Sequence, residues 1–143
     1  MKTLNKYIIE AWSGVKKHTN NVEIEAWCEE MGIQNYTINN KGEIDVDGGV
    51  NLDNKDFEEL PYKFGRVTEY FSLGGCKNLT SLKNCPDYVI SGSFSCSYGK
   101  KLESLEGCPK KVGGNFYCNS CKHEFTKKEV ESLCKVKENI YIK

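Results

Sequence analysis

Phe94-Ser-Cys96-Ser97-Tyr98-Gly99-Lys100-Lys101-Leu102-Glu103-Ser104-Leu105-Glu106-Gly107-Cys108-Pro109-Lys110-Lys111-Val112-Gly113-Gly114 is one copy of a repeat. The copy before it runs Phe71-Ser-Leu73, Leu79-Thr-Ser-Leu82, Cys85-Pro86, Val89 and Gly92. A third begins at Phe116-Tyr-Cys118 and breaks off near Phe125. Leu79, Leu82, Cys85 and Val89 find their matches 23 residues on, at Leu102, Leu105, Cys108 and Val112. From Phe94 to Phe116 the step is 22, because Ile90-Ser91 is one residue longer than the matching Gly113. Self-similarity at this period predicts a solenoid, in which each coil buries its apolar residues only against its neighbours.

Within a copy, alternation points Phe94 and Cys96 inward and Ser95 outward, as a short strand does. Leu102 and Leu105, three apart, suit a tight turn or a loop of 3₁₀ helix on the return side. Cys108-Pro109 makes a corner, since proline fixes φ and lacks an N–H. Upstream, Phe57, Leu60, Phe64 and Val67 read as a degenerate first copy, with Phe57, Leu60 and Val67 standing 22 residues before Leu79, Leu82 and Val89. About three and a half turns are expected.

The flanks read as caps. Leu4, Ile8, Ala11 and Trp12 share one helical face, and Gly14 ends or thins that helix. Asn20-Asn21 offers an N-cap for a second helix, with Ile24, Trp27, Cys28 and Met31 on its apolar face and Gly32 as its stop. Tyr36-Thr-Ile38, Ile44-Asp-Val46 and Val50-Asn-Leu52, separated by polar and Gly-rich turns, predict a β-meander. After the repeats, Thr126 and Glu129 form a capping box for a short helix bearing Val130, Leu133 and Cys134, and Ile140-Tyr-Ile142 is a closing strand. The expected fold is therefore α+β, a single domain over 1–143. It comprises a helical cap (1–34), a meander with the degenerate copy (35–69), a short leucine-rich-repeat-like β-solenoid of about 3–4 rungs (70–125), and a helix–strand cap (126–143).

The formal net charge is zero, with 20 Lys/Arg against 20 Asp/Glu. That balance argues against a general nucleic-acid or membrane-surface binder. It hides a split: residues 1–60 carry 6 Lys/Arg against 12 Asp/Glu, and residues 61–143 carry 14 against 8. Self-association of an acidic half on a basic half is one consequence. No apolar run approaches the roughly 18 residues that span a bilayer. Met1 to Glu10 is too short and polar for a signal peptide, so the chain is expected in the cytoplasm.

Eight cysteines invite three chemistries. Cys85, Cys96, Cys108 and Cys118 hold repeat positions, and Cys96 and Cys118 align with Leu73, so they read as core thiols in a reducing compartment. Cys118-Asn-Ser-Cys121-Lys-His123 is the one zinc-like cluster, with Cys134 or Cys108 as a fourth ligand. Packing is the favoured reading and no cofactor is expected. The run Asp45, Asp47, Asn51, Asp53 and Asp56 lacks the third ligand of a calcium loop before its glycine. No phosphate loop, dinucleotide fingerprint or nucleophile elbow occurs, and His18 and His123 have no orienting partner with a signature, so the chain is not expected to be an enzyme.

What remains is surface. The outward strand positions read Tyr70, Ser72 and Gly74, then Ser93, Ser95 and Ser97, then Asn115, Tyr117 and Asn119. Serine and asparagine are adaptable hydrogen-bonders and tyrosine is a frequent interface anchor. Lys100-Lys101, Lys110-Lys111 and Lys127-Lys128 ring the corners. A partner-binding set of Tyr70, Ser72, Ser95, Tyr98, Tyr117, Asn119, Lys100, Lys101, Lys110 and Lys111 follows.

The spacing of Leu79-x-x-Leu82 and Leu102-x-x-Leu105 is similar to that of leucine-rich repeats. Phe94-Ser-Cys96-Ser97 and Leu102-Glu-Ser-Leu105-Glu-Gly-Cys108-Pro-Lys-Lys-Val112-Gly-Gly114 more closely resemble small leucine-rich-repeat-like proteins of tailed phages and prophages. Trp27-Cys28, Asn35-Tyr36-Thr-Ile38-Asn39 and Ile44-Asp-Val46 resemble their lead-in, and the resemblance covers about residues 24–143. It implies a host protein as partner, most concretely a bacterial defence factor that the chain inhibits in the host cytoplasm. Alternatives are a nucleic-acid or nucleotide binder, using the lysine corners with Tyr98 and Tyr117 stacking, and a structural or self-assembling virion-associated protein.

Overall fold

The computed structural model describes residues 16–143. The helix expected over Leu4 to Trp12 lies outside the described residues. The chain forms α1 (Lys16–Glu30), β1 (Tyr36–Ile38), β2 (Ile44–Val46), β3 (Val50–Asn51), β4 (Phe64–Val67), β5 (Phe71–Ser72), β6 (Tyr88–Val89) and β7 (Phe94–Ser95). Then follow β8 (Lys111–Val112), β9 (Phe116–Tyr117), α2 (Lys127–Leu133), β10 (Lys135–Val136) and β11 (Ile140–Tyr141).

The strands build a β-solenoid of about four turns. Each rung gives one short strand to each of two sheets. The first sheet runs β1-β2-β4-β6-β8-β10 and the second β11-β9-β7-β5-β3. All pairings are parallel except the β1–β2 hairpin. The register reproduces the sequence period: Val67 pairs with Val89 and Val89 with Val112, while Phe71 pairs with Phe94 and Phe94 with Phe116.

Two expectations change at the ends. The three meander strands are not one meander, because β3 leaves the hairpin for the second sheet. Asp47-Gly48-Gly49 is a rung corner, with Thr68 donating its N–H to Val46 and Glu69 to Gly48. β2 and β3 are thus the first rung, and β10 and β11 are a fifth. The three and a half turns read from the repeat are close to the four observed; the flanking strands complete the end rungs without the leucines of the inner copies. α2 lies between β9 and β10, in the return segment of the last turn.

The core is a column of stacked positions. Phe64, Phe71, Phe94 and Phe116 are fully buried, with ring centroids 4.9, 6.2 and 5.1 Å apart in succession. Burying one such side chain contributes about 1.5–3 kcal/mol. Leu52, Leu73, Cys96 and Cys118 are buried beside them, so Leu and Cys do interchange at one rung position. Leu60, Leu79, Leu82, Leu102 and Leu105 fill the return side, where Phe125 and Val130 complete the last turn. Trp27 extends the aromatic column, 6.0 Å from Phe64, 6.0 Å from Phe57 and 5.7 Å from Tyr62.

α1 runs through Asn20-Asn21, which is therefore not its N-cap; asparagine inside a helix costs only a few tenths of a kcal/mol. It ends as expected at Gly32. Ile33 N–H reaches Cys28 carbonyl at 2.9 Å and Gly32 N–H reaches Glu29 at 3.1 Å, with Gly32 at φ +74°. α2 begins on Thr126, whose Oγ1 accepts from Glu129 N–H while the Glu129 carboxylate accepts from Thr126 N–H at 3.0 Å.

Candidate interaction face

The outer face of the second sheet follows from strand alternation. Asn51, Ser72, Ser95, Tyr117 and Tyr141 lie side by side across β3, β5, β7, β9 and β11. Tyr117 and Tyr141 stack at 4.8 Å with an interplanar angle of 8°. Asn115 Nδ2 donates to the Tyr117 hydroxyl at 3.2 Å, and Asn115 Oδ1 accepts from Asn139 N–H at 2.9 Å. Tyr141 was not among the expected site residues. Its signal was the period itself, since Ile140-Tyr141 is Phe116-Tyr117 one rung on.

Several outward positions spend their polar groups on the next rung. Ser72 Oγ donates to Asp53, whose carboxylate also accepts Gly74 N–H at 2.8 Å. Asp45 accepts Arg66 N–H at 2.9 Å. Three members of the acidic run, Asp45, Asp47 and Asp53, thus stitch one rung to the next. Ser97, expected outward, is buried and donates its hydroxyl to Asn119 Oδ1.

The residue that follows Ser97 is Tyr98. Asn54, Gly75, Tyr98 and Ser120 occupy one rung position, the turn that closes the second sheet. All four have left-handed backbone, at φ 62°, 73°, 63° and 60°. Their amides confirm the equivalence: Asn54 N–H donates to Gly74, Gly75 N–H to Ser97 and Tyr98 N–H to Asn119, each at 2.9 Å. Glycine and asparagine suit this conformation, while a bulky aromatic side chain in it is an outlier that costs about 1–2 kcal/mol. Tyr98 is nonetheless 52% exposed, with Lys100 Nζ 5.7 Å from its ring centroid. Lys100 also donates to Ser120 carbonyl at 3.2 Å. Ser72, Ser95, Tyr98 and Lys100 line one shallow depression of about 720 Å³.

The remaining expected residues divide. Tyr70 is exposed at the corner between the sheets, its ring lying over Gly49. Asn119 lies one rung beyond Ser97. Lys101 is exposed beside Lys100. Lys110 and Lys111 are on the opposite side of the rung, leading into the first sheet. The lysine pairs therefore do not form one surface, because the return segment separates them.

The zinc-like cluster resolves into two repeat positions. Cys118 is buried in the Leu52–Leu73–Cys96 column. Cys121 is not an extra residue: it stands where Cys76 stands two rungs earlier. Cys76 Sγ donates to Leu52 carbonyl at 3.2 Å and Cys121 Sγ to Cys96 carbonyl at 3.3 Å, the same contact to the rung before. Cys118-x-x-Cys121 is thus Leu73-x-x-Cys76 with a thiol in place of the leucine. His123 turns its Nε2 to Glu129, 3.1 Å away, and packs its ring 4.8 Å from Phe125. Among the described residues no group of three metal-ligating side chains converges.

The thiols differ in acidity. Burial pushes Cys28, Cys108, Cys118 and Cys134 up to about 12. Cys121 goes the other way, to about 7, through a hydrogen bond from Cys96, helped by Gly99 N–H and the Lys100 charge. Cys96, fully buried, is raised by the same bond and by desolvation. The half-exposed member of the pair is the one that ionises.

No family model, curated protein or solved structure matches this chain.

Proposed function

We propose that the chain is a non-catalytic binding module that recognises another protein through the outer face of its second sheet, with Tyr98 as anchor. The observation that carries this reading is the backbone of Tyr98. Its rung-mates are Asn54 and Gly75, which suit a left-handed turn, and the small Ser120; Tyr98 is the one bulky side chain held there, exposed at the rim of a depression. Strain held at one exposed aromatic residue points to a use for that side chain outside folding. The stacked Tyr117–Tyr141 pair supplies a second rigid aromatic surface on the same face.

The resemblance of the repeat to phage leucine-rich-repeat-like proteins supports the finer reading. In it the fold is a solenoid of that type, with α1 at one end and α2, β10 and β11 at the other serving as its caps. The partner is a protein of the bacterial host, a defence factor held inactive in the host cytoplasm.

The test is capture from a lysate of the natural host, followed by mass spectrometry, for the natural chain and for Ser95→Lys and Tyr98→Gly. Both substitutions are at the depression and neither touches the core. Loss of one captured protein in both variants is the expected result. Retention of the same protein by both overturns the reading.

A further inference from the structure

The outer face of the first sheet carries a second ladder. Arg66 on β4, Tyr88 on β6, Lys111 on β8 and Lys135 on β10 are register partners in succession, and all four are exposed. Adjacent strands lie about 4.8 Å apart, so three cationic side chains and one phenol share a short stripe. Among the described residues none of Arg66, Lys111, Lys135 or Lys137 is in an ion pair.

One break in the repeat gives this stripe relief. The corner after β6 has four residues, 90–93, where the corner after β8 has three, 113–115. Ile90, one past buried Val89 and in the rung position of Thr68 and Gly113, stands out there as a ledge, 43% exposed. Gly113 fits beneath it: a Cβ there would come within 1.8 Å of Ile90 carbonyl. Beside the ledge is a trough of about 490 Å³ across β6, β8 and β10, lined by Tyr88 and Ile90 at one side, Lys111 on the middle strand, and Lys135 and Lys137 at the other side.

We propose that this trough docks an extended acidic segment of a partner protein, one that alternates carboxylate and apolar side chains. An extended chain sends successive side chains to opposite sides. Carboxylates would then meet the three lysines while apolar groups pack on Ile90 and Tyr88. A nucleic acid fits less well. Its affinity grows with the number of phosphates neutralised, and the stripe offers few cations on a chain of zero net charge. The stripe also turns acidic beyond Arg66, where Asp45 lies on β2. A single exposed aromatic residue gives no platform for successive bases.

Fluorescence anisotropy on the full chain tests this. The probes are a labelled peptide of alternating Glu and Leu, its Gln-and-Leu twin, and a labelled oligothymidine. The Glu peptide is expected to bind, more weakly as salt rises, and about tenfold or more tighter than its Gln twin. Lys111→Glu with Lys135→Glu should remove that preference at unchanged melting temperature, since both side chains are in solvent. Tyr98→Gly should leave it intact, which separates this surface from the face across the rung. Equal binding of the twin, binding that survives both charge reversals, tighter binding of oligothymidine, or no binding of the Glu peptide would each overturn the proposal.

Discussion

At the scale of single residues, the side chains that matter are those that break the pattern of their rung-mates. Cys121 shares its position with Cys76 and its contact with the preceding carbonyl, yet it alone has an acidity near neutrality. Thiolate is the reacting species. Brief alkylation of the native chain at pH 7 should therefore label Cys121 first, while Cys28, Cys85, Cys96 and Cys118 react only on unfolding. Peptide mass mapping reads this directly, and equal labelling of Cys118 would contradict it. Nothing in the sequence distinguishes Cys121, because Cys-x-x-Cys reads the same whether the two thiols converge on a metal or fall on two stacked columns. The sequence names Tyr98 as a contact but is silent on its backbone. Its left-handed backbone is imposed by the turn its rung must make, and only the register with Asn54, Gly75 and Ser120 exposes it.

At the scale of elements, two-residue strands have little stability of their own and are held by the aromatic column behind them. Phe94 lies between Phe71 and Phe116 in that column and is fully buried. Phe94→Ala should cost about 3–5 kcal/mol in urea unfolding, a large share of the roughly 5–15 kcal/mol that holds a domain folded. A cost below about 1 kcal/mol would mean that the column does not carry the fold. The rung positions were legible from the spacing, since Leu79, Leu82 and Val89 recur so regularly. The end rungs were not. Ile44, Val50, Val136 and Ile140 occupy the right places without the leucines and Cys-Pro corner that mark the inner copies. The Arg66–Tyr88–Lys111–Lys135 ladder was missed for a related reason: its members fall in four different copies and align only through pairing.

At the scale of the whole molecule, the buried thiols give the solenoid a pH dependence. Four of them hold their protons to about 12 when folded, against an ordinary value of 9.0. Their folded acidity is raised, so the unfolded chain releases protons first as pH climbs. The stability they contribute is complete below about 9 and is lost between about 9 and about 12. The melting temperature should fall through that window, and less steeply in a Cys28→Ala/Cys134→Ala variant. An unchanged slope would remove the thiols from the account.

The two proposals assign separate work to two exposed faces of one small solenoid: an aromatic depression on the second sheet and a cationic trough on the first. The first is the central claim, and Tyr98→Gly tests it most directly when stability and capture are measured on the same preparation. Relieving the left-handed strain should stabilise the chain by about 1 kcal/mol in urea unfolding while capture of the host partner is lost. A variant that is no more stable, or one that captures the partner as well as the natural chain does, would contradict it.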